Sequence, residues 1–155
     1  MLEIMTHERA GICRMFFNTS ANVGPGQPND TVDVQLVQFG YACTAKNTKS
    51  TFSAEAKAIF SKVIPGAPYS GNLADPLSQA IIIDQKERGG TKDGHISRMR
   101  RGFRYAGPRG AEGFMLISVS NNIYDMNPEV WPRIDKAPGC PPALAAAVRA
   151  LIRNA

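Results

Sequence analysis

The sequence predicts a mainly α-helical fold, with an α+β fold as the alternative. Apolar residues recur at helical spacing in about five segments, which is the pattern of amphipathic helices packed on a core. Three of these segments follow residues that commonly cap helix N-termini, namely Asp30, Ser53 and Asp75. The chain has 155 residues and is 43% hydrophobic, which is sufficient for one domain of ordinary size.

The first predicted helix begins in the sequence NDTVDVQLVQFGY at 29–41. Asp30 or Thr31 can accept hydrogen bonds from the free backbone N–H groups at its start, and Asp33 suits the positive end of the helix dipole. Its apolar side chains are Val32, Val34, Leu36, Val37, Phe39, Tyr41 and Cys43. A strand is the alternative, because valine prefers strands and the first valines alternate. The alternation breaks after Leu36, which favours the helix.

The second predicted helix, SAEAKAIFSKVI, begins after the capping residue Ser53 and ends at Ile64, because Pro65 follows it. Glu55 lies early in this helix, where its charge is favourable for the helix dipole. The predicted apolar side of the helix comprises Ala56, Ile59, Phe60, Val63 and Ile64.

The third predicted helix, PLSQAIIIDQKERG, has Asp75 as its N-cap and ends at Gly89. Its apolar residues include Leu77, Ala80, Ile81 and Ile83. Because all three helices are amphipathic, we expect Leu36, Phe60 and Ile81 to meet in one shared hydrophobic core.

Two further helices are predicted in the carboxyl-terminal part of the chain. The first is FMLISVSNNIYDMN, for which a strand over FMLISV followed by a turn is the alternative. The second is PALAAAVRALIRNA, which begins with proline and carries arginine near its carboxyl end. Trp131 lies on a short turn between them, and we interpret it as a packing residue, with stacking on a ligand as the alternative.

We interpret residues 1–155 as a single domain with three parts. Residues 1–23 form an irregular amino-terminal arm, in which MFF at 15–17 is the predicted short strand. Residues 24–98 form the three-helix core. Residues 99–155 form a basic loop and the two carboxyl-terminal helices.

Three short pieces of the three-helix core are similar to the peptidoglycan-binding-like family of small three-helix modules. They are DVQLVQ at 33–38, LSQAIIIDQ at 77–85 and DGHIS at 93–97, and the resemblance covers residues 22–98. It implies a module without catalytic activity that docks to peptidoglycan, or to a protein in an envelope, phage or secretion assembly.

The chain departs from the family pattern in two places. The family has a D-G-x-x-G-x-x-T turn before a helix ending in A-I-x-x-F-Q, whereas PYSGNLADP precedes the helix here. Asp84 stands in place of the aromatic residue before the glutamine. These positions build the turn and part of the groove of the family, so no ligand residue is transferred to this chain.

The segment from Lys86 to Arg109 contains eight basic and two acidic residues, and its balance of +6 exceeds the net charge of +5 of the whole chain. Within it, RMRRGFRY alternates arginine with aromatic residues, as in proteins that bind single-stranded nucleic acids. A solvated loop or a protein-binding surface are the alternatives. The candidate binding residues are Arg98, Arg100, Arg101, Phe103, Arg104, Tyr105 and, outside this segment, Trp131.

The remaining motifs give no indication of an enzyme, a metal site or a cofactor. Cys13, Cys43 and Cys140 are widely spaced, which predicts free thiols rather than disulfides or a zinc site. His7 and His95 are far apart in the sequence, and no nucleophile motif occurs. We therefore predict a protein that is not an enzyme.

The amino-terminal sequence and the lengths of the apolar runs indicate where in the cell the chain is expected. No apolar run approaches the roughly 20 residues that cross a bilayer, so no membrane span is predicted. Arg14 interrupts the apolar run near the amino terminus, unlike in a signal peptide. We expect the chain to be cytoplasmic at synthesis, or exported without a cleaved signal peptide as part of an assembly.

Three functional hypotheses follow from the sequence. The leading hypothesis is a non-catalytic binding module with peptidoglycan or a protein as its partner. The first alternative is a structural subunit of a virion or filament that assembles with copies of itself. The second alternative is an arginine-rich protein that binds nucleic acid through the basic loop.

Overall fold

The computed structural model describes residues 1–6, 15–89, 92–100 and 114–153, and this part of the chain is mainly α-helical. Helices account for 49% of the chain, so the predicted fold class is confirmed. The described elements are β1 (Glu3–Thr6), β2 (Met15–Asn18), α1 (Thr31–Lys46), α2 (Ala54–Phe60), α3 (Pro76–Arg88), α4 (Phe114–Met126), a 3-10 helix (Ile134–Lys136) and α5 (Pro142–Arg153).

Helix α1 is the central element, and it contacts α2, α4 and α5. The helix predicted here is confirmed, and its apolar residues Val34, Leu36, Val37, Phe39, Tyr41 and Cys43 are all buried. Asp30 is the N-cap residue, as predicted, but its side chain makes no capping hydrogen bond. Its carboxylate accepts a hydrogen bond from the Ser20 hydroxyl instead, at 2.9 Å.

Helix α1 separates two hydrophobic cores. The first core contains Val37, Phe60 and Ile81, and the second contains Leu36 and residues of α4 and α5. The expectation that Leu36, Phe60 and Ile81 share one core is therefore wrong. Successive residues of a helix point about 100° apart, so Leu36 and Val37 face opposite cores.

The capping residues of α2 and α3 are confirmed. Ser53 accepts a hydrogen bond from the backbone N–H of Ala56 at 3.1 Å, and Asp75 accepts one from Leu77 at 2.9 Å. Helix α2 nevertheless ends at Phe60, four residues before the predicted end.

The early end of α2 places Ile64 outside the core. The N–H groups of residues 62 and 63 bond to carbonyls three residues earlier, which tightens the chain into a turn. Pro65 also disfavours a helical conformation at the residue before it. Ile64 is 67% exposed, so its predicted place on the apolar side is wrong.

The amino-terminal segment forms a hairpin in its described residues. Strands β1 and β2 pair antiparallel, with Ile4 opposite Phe17 and Met5 opposite Phe16. Phe16 lies in the first core and Phe17 in the second, because successive side chains of a strand point to opposite faces. The short strand is confirmed, but the expectation of an irregular arm is wrong for these residues.

The two carboxyl-terminal helices are confirmed as α4 and α5. A buried side chain of α1 caps the start of α5, because the Gln35 side-chain oxygen accepts a hydrogen bond from the backbone N–H of Leu144 at 3.0 Å. The residue that precedes α5 is Pro141, which has no side-chain acceptor for this purpose.

Helices α1 and α4 approach each other closely at Gly40. A Cβ atom at this position would lie 2.5 Å from Cγ1 of Val119. The absence of a side chain therefore allows the closest contact between the two helices.

We expect Gly40→Ala to lower the free energy of unfolding by about 1–3 kcal/mol, because the added methyl group overpacks the interface. Helix propensity alone predicts the opposite sign, a gain of about 1 kcal/mol. The measurement is urea unfolding followed by circular dichroism. Val119→Ala should restore part of the loss when combined with Gly40→Ala. A single Gly40→Ala variant as stable as the wild type would contradict the close approach.

Candidate functional site

Gln85 connects α3 to the turn at residues 93–95. Its side-chain amide donates to the Asp93 carboxylate at 2.9 Å and to the His95 carbonyl at 3.0 Å. Its oxygen accepts a hydrogen bond from the backbone N–H of Gly94 at 2.8 Å. The last glutamine of LSQAIIIDQ, Gln85, is thus in direct contact with the turn of DGHIS.

The same turn is held from its other side by the segment that follows β2. Val23 and Ile96 form an isolated β-bridge with hydrogen bonds of 3.0 and 2.8 Å. Gly24 lies against His95, and a Cβ atom at Gly24 would be 2.7 Å from the His95 Cβ. With φ at +143°, Gly24 also has a backbone conformation that favours glycine. The turn is therefore fixed by two separate parts of the chain.

An open depression of about 420 Å³ lies between α3 and this turn. We name it the α3 depression, and its described lining consists of Ile82, Gln85, Lys86, Lys92, Asp93 and Gly94. Ile82 and Lys86 are four residues apart and therefore lie on the same face of α3. Ile82 is 38% exposed although it is a large apolar residue. The depression combines an apolar surface with charged neighbours.

The acidic and basic side chains that line the α3 depression differ in their contacts with the rest of the protein. The Asp93 carboxylate accepts hydrogen bonds from Gln85 and from the backbone N–H of His95, and it lies 3.5 Å from the His95 ring nitrogen Nε2. Lys86 and Lys92 are exposed. The Asp93 side chain is thus hydrogen-bonded to the protein although it is 36% exposed, and two exposed lysines line the same depression.

The structure places Arg98 against the amino-terminal hairpin. Its guanidinium donates to the Thr19 carbonyl at 3.1 Å and lies 3.4 Å from the Glu3 carboxylate. Its backbone N–H donates to the Asn22 side chain at 2.9 Å. Because these contacts join distant segments, Arg98 has a structural role in addition to its charge.

The other residues of the basic segment are only partly placed. Arg100 is exposed. Arg101, Phe103, Arg104 and Tyr105, which are four of the predicted binding residues, lie outside the described residues. The nucleic-acid hypothesis for RMRRGFRY therefore stays a prediction.

Trp131 packs between two aromatic side chains. Its ring meets Phe17 edge to face with centroids 5.4 Å apart, and it meets Tyr124 in the same way at 5.9 Å. The indole belongs to the second core and does not line the α3 depression. These contacts favour the interpretation of Trp131 as a packing residue.

Asp84, which replaces the aromatic residue of the family pattern, is buried with two partners. The Tyr41 hydroxyl donates to its carboxylate at 2.7 Å, and Arg88 forms an ion pair with it. Arg88 also donates to the Ser118 hydroxyl at 2.6 Å and lies over the Phe52 ring. This network joins α1, α3 and α4 and pairs the buried carboxylate of Asp84 with a hydroxyl and a guanidinium.

Ile82, Lys86 and Lys92 are not among the site residues predicted from the sequence. The four-residue spacing of Ile82 and Lys86 is a usable signal, since it places both on one helical face. Lys92 belongs to the basic segment, but its place beside α3 depends on the hydrogen bonds of Gln85 to the turn, which no local pattern predicts.

The described residues offer little to a metal ion or to a thiol reaction. Among them, no group of three or more histidine, cysteine, aspartate or glutamate side chains could hold a metal ion. Burial raises the pKa of the Cys43 thiol to about 12 and that of Cys140 to about 11, so both thiols are protonated at neutral pH. None of the described helices is both long and apolar enough for a membrane span.

No protein-family model matches the chain, and neither a curated protein nor a solved structure is detectably similar to it. The likeness to peptidoglycan-binding-like modules therefore depends on the three sequence pieces quoted above.

We expect the free energy of unfolding to fall at alkaline pH through Tyr41 and Cys43. Burial, followed by the nearby Asp84 carboxylate, raises the pKa of Tyr41 well above 10.0, and burial raises that of Cys43 from 9.0 to about 12. A group with a raised pKa in the folded state contributes its full stability below its unfolded pKa and loses it as the pH rises. The loss should begin near pH 9 for Cys43 and near pH 10 for Tyr41.

The measurement is urea unfolding at pH values from about 8 to about 11. Tyr41→Phe should reduce the component that begins near pH 10, and Cys43→Ala should reduce the one that begins near pH 9, to which Cys140 also contributes because burial raises the pKa of its thiol to about 11. An unchanged pH profile in Tyr41→Phe would show that this hydroxyl does not contribute.

We expect Gln85→Ala to lower the free energy of unfolding by about 1–3 kcal/mol, because three partly buried hydrogen bonds to the turn are lost. Amide hydrogen exchange at Gly94 should become faster, since the turn opens more easily. Gln79→Ala is the matched control, because Gln79 is exposed on the same helix. Exchange at Gly94 that is equally slow in Gln85→Ala would refute the role of Gln85.

Proposed function

We propose that this chain is a non-catalytic binding module that docks to peptidoglycan through the α3 depression. A protein of an envelope, phage or secretion assembly is the alternative partner of the same surface. The observation that carries the proposal is the set of hydrogen bonds from Gln85 to residues 93–95, which joins two pieces of the family likeness at the edge of an open depression.

Preorganisation of the turn supports binding at this place. The hydrogen bonds of Gln85 and the bridge between Val23 and Ile96 fix the turn before any ligand arrives. A ligand then loses less free energy in ordering the surface that it contacts. Concave surfaces with apolar lining and a few oriented polar groups are also the usual form of ligand sites.

The groups that line the α3 depression are suited to binding rather than to covalent chemistry. The Asp93 carboxylate is engaged by Gln85 and by the backbone of His95. Lys86 and Lys92 supply positive charge, and Ile82 supplies exposed apolar surface. These contributions hold a ligand without requiring a nucleophile.

Sedimentation with purified murein sacculi tests the proposal. We expect the full chain to pellet with sacculi at physiological salt and to stay in the supernatant with cellulose, because the site recognises more than an insoluble polysaccharide. The negative control is the chain centrifuged without sacculi.

A chain that stays in the supernatant with sacculi would contradict the proposal. In that case, its mass in solution and its binding to single-stranded nucleic acid would be measured next. A defined oligomer would favour the self-assembling subunit, and salt-dependent binding to nucleic acid would favour the arginine-rich binder.

A further inference from the structure

We propose that the α3 depression takes a short acidic peptide with small apolar side chains, rather than a glycan strand. In peptidoglycan this chemistry belongs to the stem peptide, which carries free carboxylates and alanine methyl groups. The inference rests on the proposed function, and it adds which part of the polymer is recognised.

The positive charges at the opening account for an acidic ligand. Lys86 and Lys92 are exposed on two sides of the depression, one on α3 and one beside the turn. The negative charge of Asp93 is held by hydrogen bonds within the turn. Two lysines against one partly exposed carboxylate leave an excess of positive charge in the opening, which a carboxylate of the ligand would meet.

The apolar surface accounts for the small side chains. Ile82 lies one helical turn before Lys86 and is exposed within the depression. A methyl group that packs on Ile82 would remove apolar surface from water on both partners. An isoleucine surface beside lysines thus complements a peptide that carries both methyl groups and carboxylates.

The described lining gives less support to a sugar ring. It contains isoleucine, glutamine, lysine, aspartate and glycine, but no aromatic side chain on which a ring could stack. Of the aromatic candidates from the sequence, Trp131 packs against the second core, and Phe103 and Tyr105 lie outside the described residues. The side chains that are present favour a charged peptide.

The charge of the whole chain acts in the same direction. Its net charge is +5, and the segment that begins at Lys86 concentrates positive charge beside the depression in the sequence. A positive field attracts acidic ligands and increases their rate of association. Binding should therefore weaken as salt is raised from about 0.1 M to about 1 M, because the Debye length falls from about 10 Å to about 3 Å.

The test is a titration of the full chain with the synthetic stem tripeptide L-alanyl-γ-D-glutamyl-diaminopimelic acid, followed by NMR. We expect the amide signals of the described lining residues, Ile82, Gln85, Lys86, Lys92, Asp93 and Gly94, to shift. The double variant Lys86→Gln/Lys92→Gln should bind the peptide about fivefold more weakly, since two exposed ion pairs are lost. Ile82→Ala should weaken binding about threefold through the lost apolar contact.

Two controls separate the site from general charge. Lys49→Gln/Lys136→Gln removes the same charge at exposed lysines that are not among the described lining residues, and it should leave the affinity unchanged. The second control is the same tripeptide with its carboxylates converted to amides. The wild type should bind it no more tightly than Lys86→Gln/Lys92→Gln binds the unmodified tripeptide. Circular dichroism of each variant confirms that it is folded.

Failure of this inference can be distinguished from failure of the proposed function. If the chain pellets with sacculi but the tripeptide causes no shifts, or if Lys86→Gln/Lys92→Gln binds it as tightly as the wild type, the stem-peptide inference is wrong and the proposed function stands. If the disaccharide of the glycan strand shifts the signals of these lining residues instead, the depression binds glycan. If sacculi are not bound, both proposals fail.

Discussion

The burial of α1 between two cores is the constraint on which the rest of the structure depends. A helix that is covered on all sides must supply partners for each of its buried polar groups. Asp33 binds the backbone of Ser20 and Ala21, and Gln35 caps the start of α5. Gln38 holds the loop after α2 through the N–H of Gly66 and the carbonyl of Ala67. The polar residues of α1 thus fix the positions of three separate segments.

The candidate site is connected to this central helix through α3. Tyr41 of α1 binds the buried carboxylate of Asp84, and the next residue, Gln85, binds the turn that borders the α3 depression. Adjacent residues of α3 therefore perform two tasks, one within the core and one at the surface. Such an arrangement keeps the depression in a fixed position relative to the core, because α3 has a buried hydrogen bond on the core side and partly buried hydrogen bonds on the side of the turn.

The motif residues and the proposed ligand contacts are different residues. Gln38 and Gln85, which carry much of the family likeness, bond to loops of the chain itself. Ile82 lies within LSQAIIIDQ, and Lys86 and Lys92 lie in the basic segment, but none of the three is a residue that carries the family likeness. Buried side-chain amides must be hydrogen-bonded, so the glutamines of these sequence pieces are explained by the stability of the fold. The class of ligand depends instead on the exposed side chains beside them.

The sequence by itself determined the mainly helical class and the starts of α2 and α3. It also favoured a helix over a strand at α1 and at α4. These features depend on periodicity and capping, which act over a few residues. Tertiary structure decided that Leu36 faces a second core, that Ile64 is exposed, and that the amino-terminal segment is a hairpin in its described residues. It also decided that Asp84 meets Tyr41 and that residues 92–94 return to α3, because these contacts join positions that no local pattern connects.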